Sequence, residues 1–124
     1  MTTSSPQAAP QQWEIWEVDW LHEDGASKPR PALVVSSNTF NSGHSGAWVA
    51  KISSQYFDTE HRIEIAAGDP SFKSTGLKKS CYVYLANVRL IEPDLLLYRR
   101  GRLGSFSALV IAIQLKKAIP KPLS

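Results

Sequence analysis

The sequence predicts a small α+β domain, mainly β, in which a curled antiparallel sheet carries one C-terminal helix. Three observations lead there. Apolar and polar residues alternate over several short stretches, which is the period of a strand with one buried face. Clusters of Gly, Ser and Asn separate these stretches and read as turns. Near the C-terminus the apolar spacing becomes helical and stays so until Pro120.

Trp13-Glu14-Ile15-Trp16-Glu17-Val18-Asp19-Trp20 sets acidic residues between large apolar ones and predicts a first strand. His22 through Lys28 is polar, contains Gly25, and is expected to be a mobile loop. Pro29-Arg30-Pro31 leads into Ala32-Leu33-Val34-Val35-Ser36, an apolar, β-branched run expected as a central strand buried on both sides. Proline has no N–H for a sheet ladder, so Pro29 and Pro31 are placed at the edge where that strand begins. Residues 37–46 carry turn chemistry with room for one helical turn. Further strands are predicted over 47–53, 61–65 and 80–85, with 87–91 continuing the last after a bend.

Gly104-Ser105 offers a helix N-cap. Phe106, Leu109, Val110 and Ile113 follow at helical spacing, and Ala108, Ile111, Ala112, Leu115 and Ile119 form a second apolar stripe. A helix apolar on two sides needs two surfaces to bury against. One is its own sheet; the other fits a partner.

Composition bounds the function. At 124 residues there is room for one domain, expected over 13–119, with 1–12 a flexible tail and 120–124 a short C-terminal tail. Cys81 is the single cysteine, so no intramolecular disulfide forms, and no Cys/His spacing suggests a metal site. A cytoplasmic location is expected, with no signal peptide, no membrane span and no cofactor. The net charge of +3 leans toward anionic partners such as nucleic acid.

An ordered set of motifs goes further. Lys28-Pro29-Arg30-Pro31-Ala32-Leu33-Val34-Val35-Ser36 is followed by Asn38-Thr39-Phe40-Asn41, Val49-Ala50-Lys51-Ile52-Ser53-Ser54 and Gly76-Leu77-Lys78-Lys79-Ser80. Val88-Arg89-Leu90-Ile91 and Gly101-Arg102-Leu103 complete the set. In this order and spacing, residues 13–119 resemble the MazF/PemK family of bacterial toxins. The resemblance implies an SH3-like antiparallel barrel with a C-terminal helix, a homodimer and an inhibitory antitoxin partner. It also implies metal-independent, sequence-selective cleavage of single-stranded RNA. Its catalytic pair maps to Arg30 and Ser53, with Lys28, Ser54, Gln55 and Arg89 as RNA contacts.

That pair suits the chemistry. RNA supplies its own nucleophile, the 2′-hydroxyl, so the protein must align it and stabilise charge building on the phosphate. A guanidinium holds phosphate oxygens in a bidentate fork, and a hydroxyl on a strand end donates to another. Ser53 keeps that donor but lacks the methyl that stiffens threonine.

Three positions depart from the family pattern. Gln12-Trp13-Glu14 replaces its Gly-acid opening, Glu23 and Asp24 lie upstream of its usual acidic loop residues, and Ala86-Asn87 replaces an Asp-Gln pair. The general base is therefore open among His22, Glu23, Asp24 and His61. The alternative is a catalytically weakened barrel that binds protein or nucleic acid. Arg99, Arg100 and Arg102 read as a solvated turn, or else as a phosphate-contacting edge. Most of the four tryptophans are expected in the core.

Overall fold

The computed structural model describes residues 9–44 and 46–118. Six strands run β1 (Glu14–Leu21), β2 (Ser27–Val34), β3 (Ala47–Ser53), β4 (Arg62–Ile65), β5 (Cys81–Ile91) and β6 (Leu96–Arg102). Helix α1 (Asn38–His44) follows β2, and α2 (Ser105–Ala118) follows β6. The strands form one sheet in the order β4-β5-β3-β2-β1-β6, antiparallel at every step.

The architecture is the expected mainly-β one, but the ladder is not closed into a barrel. β4 is only four residues long and pairs with β5 alone, while β6 pairs with β1 alone. The sheet curls without joining its edges. Its curvature brings Leu96 of β6 and Ile91 of β5 into one cluster with Trp16, Val18, Trp20, Ala32, Val34, Ala47 and Val49. The opposite faces of the same strands give Ile15, Leu33, Ala50, Ile52, Val83 and Leu85, which α2 covers through Ile111. Full burial of a Leu or Ile side chain stabilises by roughly 1.5–3 kcal/mol, so these two layers carry the fold.

Local details correct several expectations. β2 begins at Ser27, not after the prolines, because residues 27–31 pair with β1 alone and leave their other edge free. The expected mobile loop shrinks to a tight hairpin turn. Here Gly25 adopts φ 86°, His22 N–H bonds Ala26 O at 2.8 Å, and Asp24 Oδ1 accepts from Ala26 N–H at 2.9 Å. Residues 38–44 are helical, capped by Ser37 Oγ, which accepts from Phe40 N–H at 3.1 Å.

The arginine-rich segment is a strand and not a turn. Arg99 pairs with Glu14 at 2.6 Å and Arg100 with Glu17 at 2.9 Å, which lets β6 carry charge along β1. β5 runs unbroken through its expected bend, where the pairing jumps from Lys51↔Tyr84 to Ala50↔Val88 and bulges out residues 85–87.

Part of the expected N-terminal tail is tied down. Buried Asn41 donates from Nδ2 to Pro10 O at 2.8 Å, and Gln12 Nε2 donates to Val35 O at 2.9 Å. Residues 1–8, and the expected helix end at Pro120, lie outside the described residues.

Candidate active site

β2 and β3 build the site between them. Their ladder pairs Ala32 with Lys51 and Val34 with Val49. The ladder stops two residues short of Arg30 on β2 and of Ser53 on β3. A cavity of about 630 Å³ opens at that point. Its walls hold Arg30 and Pro31 from β2, Lys51–Gln55 from β3 and its exit, Leu77–Lys79, Cys81, Arg100 and His22.

The side chains at this opening differ in how firmly they are held. Arg30 is exposed, and its guanidinium makes one hydrogen bond, to Pro29 O at 3.1 Å. Most of its donors therefore remain free for a ligand. Ser53 is half-buried, and its Oγ accepts from Gln55 N–H at 3.1 Å. That contact shapes the turn after β3 and still leaves the hydroxyl proton to donate elsewhere. Arg100 is fixed from both sides, by Glu17 and by Gly76 O at 3.1 Å.

Among the described residues the lining carries five cations, Arg30, Lys51, Lys78, Lys79 and Arg100, and no carboxylate. Such a concentration of one sign in a concave site attracts anions. The positive balance that is mild over the whole chain is thus focused here. Cys81 borders the cavity, but burial pushes its thiol up from the ordinary value, so it is a poor nucleophile near neutrality.

The candidate residues divide clearly. The cavity gathers Arg30, Ser53, Ser54 and Gln55. Lys28 is exposed on β2 and does not line it. Arg89 lies elsewhere, its guanidinium 4.1 Å from the Trp20 ring centre and donating to Leu21 O at 2.6 Å. Of the four candidate bases only His22 reaches the cavity, and its Nε2 is shielded from solvent with no hydrogen-bond partner among the described residues. The hairpin turn that opens at His22 N–H is what holds it there. Lys51, Lys78 and Lys79 were not singled out by sequence as site residues, and Arg100 was read only within the arginine cluster, as a solvated turn or a phosphate-contacting edge. The only signal for the three lysines was membership in the motif segments.

Ala86 lines a different opening. A second groove of about 500 Å³ runs between the sheet and the end of α2, lined by Val35, Trp48, Leu85, Ala86, Val88 and Leu115 among others. The departure at position 86 therefore falls outside the cationic cavity. Among the described residues no cluster of His, Cys, Asp and Glu could hold a metal ion, and no helix is long and apolar enough to cross a membrane.

Known proteins show the same fold. An endoribonuclease from a mycobacterial species, solved with its cognate antitoxin, superposes with a TM-score of 0.71 at 19% identity, over 92% of this chain and 100% of that one. Mycobacterium tuberculosis toxin MazF-mt6 gives 0.67 at 19% identity, covering 85% and 94%. MazF from Deinococcus radiodurans gives 0.70 at 14% identity, covering 90% and 96%. No curated protein matches the sequence. The family model of the PemK-like, MazF-like toxins of type II toxin–antitoxin systems does match it, over residues 11–119. The chain belongs to that family.

Proposed function

We propose that the chain, through a single domain over residues 13–119, is a metal-independent, sequence-selective endoribonuclease toxin that cleaves single-stranded RNA and is held inactive by an antitoxin. The observation that carries this reading is the meeting of Arg30 and Ser53 in one cavity whose charged lining is entirely cationic.

The reaction is an internal transfer. The 2′-oxygen of one nucleotide bonds to the adjacent phosphorus, the bond from phosphorus to the 5′-oxygen breaks, and a 2′,3′-cyclic phosphate remains. Arg30 clamps two phosphate oxygens as negative charge builds, and the Ser53 hydroxyl donates a hydrogen bond to a further one. Lys51, Lys78 and Lys79 supply the positive field that a metal ion would supply elsewhere. Arginine holds its proton too tightly to act readily as an acid, so it acts by charge. The departing 5′-oxygen takes a proton from water.

His22 fits the role of the base that takes the 2′-hydroxyl proton. Imidazole is the side chain best suited to take up a proton near neutrality, and His22 is the one candidate base that lines the cavity among the described residues. Replacing His22 by Gln is expected to lower kcat by about 100-fold with little change in RNA binding. Cleavage at the wild-type rate would move the base elsewhere. Because Ala86 lies outside the cavity, its missing carboxylate does not empty the site of a base.

Pairing into a homodimer, in the cytoplasm where RNA is made, belongs to the same reading. Its support is the outer stripe of α2, where Phe106 is 78% exposed, Leu109 60% and Ile113 50%. An apolar stripe of this kind marks an interaction surface. The enzymatic claim is tested by incubating purified protein with long single-stranded RNA and mapping the cut ends. Discrete fragments sharing one sequence at the cut are expected. RNAs of diverse sequence left whole by folded protein would overturn the reading in favour of a binding module.

A further inference from the structure

Two consecutive aromatic residues stand beside the cavity, outside the cleavage chemistry. Beyond Gln55 the chain presents Tyr56, 54% exposed, and Phe57, 41% exposed. Two adjacent exposed rings make a contiguous apolar patch, the kind of surface that marks an interaction site. Nor are these rings loose. Tyr84 of β5 is buried, and its hydroxyl donates to Gln55 O at 2.6 Å and accepts from Phe57 N–H at 2.8 Å. Both hydrogen-bonding roles of one buried phenol thus pin the backbone on either side of Tyr56.

The rings are held as well. Tyr56 meets Tyr82 edge to face at 5.6 Å between centres, and Phe57 meets Tyr84 at 5.7 Å. Two cations are placed against them. The Arg62 guanidinium lies 4.3 Å from the Tyr56 ring centre and is anchored to Phe57 O at 3.1 Å. Lys51 Nζ lies 5.5 Å from the Phe57 centre, and Lys51 also lines the cavity. The aromatic pair and the cationic cavity are therefore one continuous surface, joined through Lys51 and Gln55. This edge also carries carboxylates: Asp58, almost fully exposed, lies 3.7 Å from Arg62, Glu60 follows in the same segment, and Glu64 stands across the ladder from Tyr82.

We propose that Tyr56 and Phe57 form a base-stacking platform that receives an unpaired nucleobase of the strand whose phosphate lies in the cavity. The assignment rests on the RNA-cleaving reading above and adds to it the group that holds the flanking base. A nucleic-acid strand is the occupant that matches both halves of the surface. Its bases offer flat π-faces to the rings, and its phosphates meet Arg62, Lys51 and the cavity cations. Stacking also explains selection of single strands, because a base inside a duplex has no free face to offer.

The test separates binding from cutting. Fluorescence anisotropy would measure binding of a labelled 2′-O-methyl uridine 15-mer, which cannot be cleaved through its 2′-oxygen, and of an abasic 15-mer with the same phosphates. The proteins are wild type, Tyr56→Ala, Phe57→Ala and Tyr56→Trp, each checked for wild-type melting. Wild type is expected to prefer the base-bearing strand by about tenfold or more, with Tyr56→Ala or Phe57→Ala losing about tenfold on that strand alone and Tyr56→Trp retaining it. Equal binding of both strands by wild type, or an equal loss on both in the alanine variants, would overturn the platform. A cleavage assay on unmodified RNA distinguishes the two readings. RNA cut normally while Tyr56→Ala binds like wild type sinks the platform and spares the nuclease. Base-dependent binding without any cleavage does the reverse.

Discussion

Arg30→Ala is expected to lower the cleavage rate of single-stranded RNA by about 10²–10³-fold, the usual cost of removing one preorganised donor from a developing oxyanion. The fold should barely notice. Arg30 is exposed, and its side chain contributes one hydrogen bond, to the neighbouring Pro29 carbonyl. Melting temperature and kcat therefore separate: the first stays within about 1–2 °C, since an exposed substitution of this kind is worth about 0.5 kcal/mol or less. Arg30→Lys should recover only part of the rate, because an ammonium is a point charge and cannot hold two phosphate oxygens in a planar fork. A variant that cuts as fast as wild type would remove Arg30 from the site altogether.

Gly101→Ala is expected to act in the opposite way, through stability. A Cβ at Gly101 would stand 2.2 Å from Ser74 O and 2.5 Å from the Thr75 carbonyl carbon. Those are backbone atoms of the short 3-10 turn over residues 72–75, and no side-chain rotation relieves the clash. The turn or β6 must shift, at a cost of about 3 kcal/mol. Thermal denaturation should show a melting point lower by roughly 10 °C or more. The displaced turn leads directly through Gly76 into Leu77, Lys78 and Lys79, so RNA binding should weaken along with stability. An unchanged melting point would mean that β6 and this turn do not pack as described.

What the sequence made legible follows from where the information lies. β1, β3 and β5 announce themselves because alternation is a local signal: Trp16, Val18 and Trp20 share one face and all are buried. The helical spacing of α2 is equally local. β6 was hidden because Tyr98-Arg99-Arg100-Gly101-Arg102 looks polar until its partners are known, and Glu14 and Glu17 lie more than 80 residues away in sequence. The early start of β2 was hidden by its prolines, which are tolerated because one edge of that segment has no neighbour. Whether the sheet closes depends on the length of β4, and that is a property of the whole curl.

The site shows the same division. Arg30 and Ser53 were legible as motif residues, and the Ala32↔Lys51 register explains why residues so far apart in sequence line one cavity. His22 could not be told from Glu23 and Asp24 by loop position, because only the turn geometry decides which side chain points inward. Arg89 carried a motif match, yet its guanidinium is taken up by Trp20 and Leu21 O. Tyr56 and Phe57 were silent in sequence; their meaning comes from Tyr84, which pins them from another strand.

The most direct test of the proposed site is cleavage of one RNA strand, and of its all-2′-deoxy counterpart, by purified protein in excess chelator. The RNA is expected to be cut to fragments ending in a 2′,3′-cyclic phosphate while the 2′-deoxy strand stays whole. Intact RNA in chelator with cutting restored by a divalent cation, or equal cutting of both strands, would contradict a site in which Arg30, Ser53 and the surrounding cations act on the RNA's own 2′-hydroxyl.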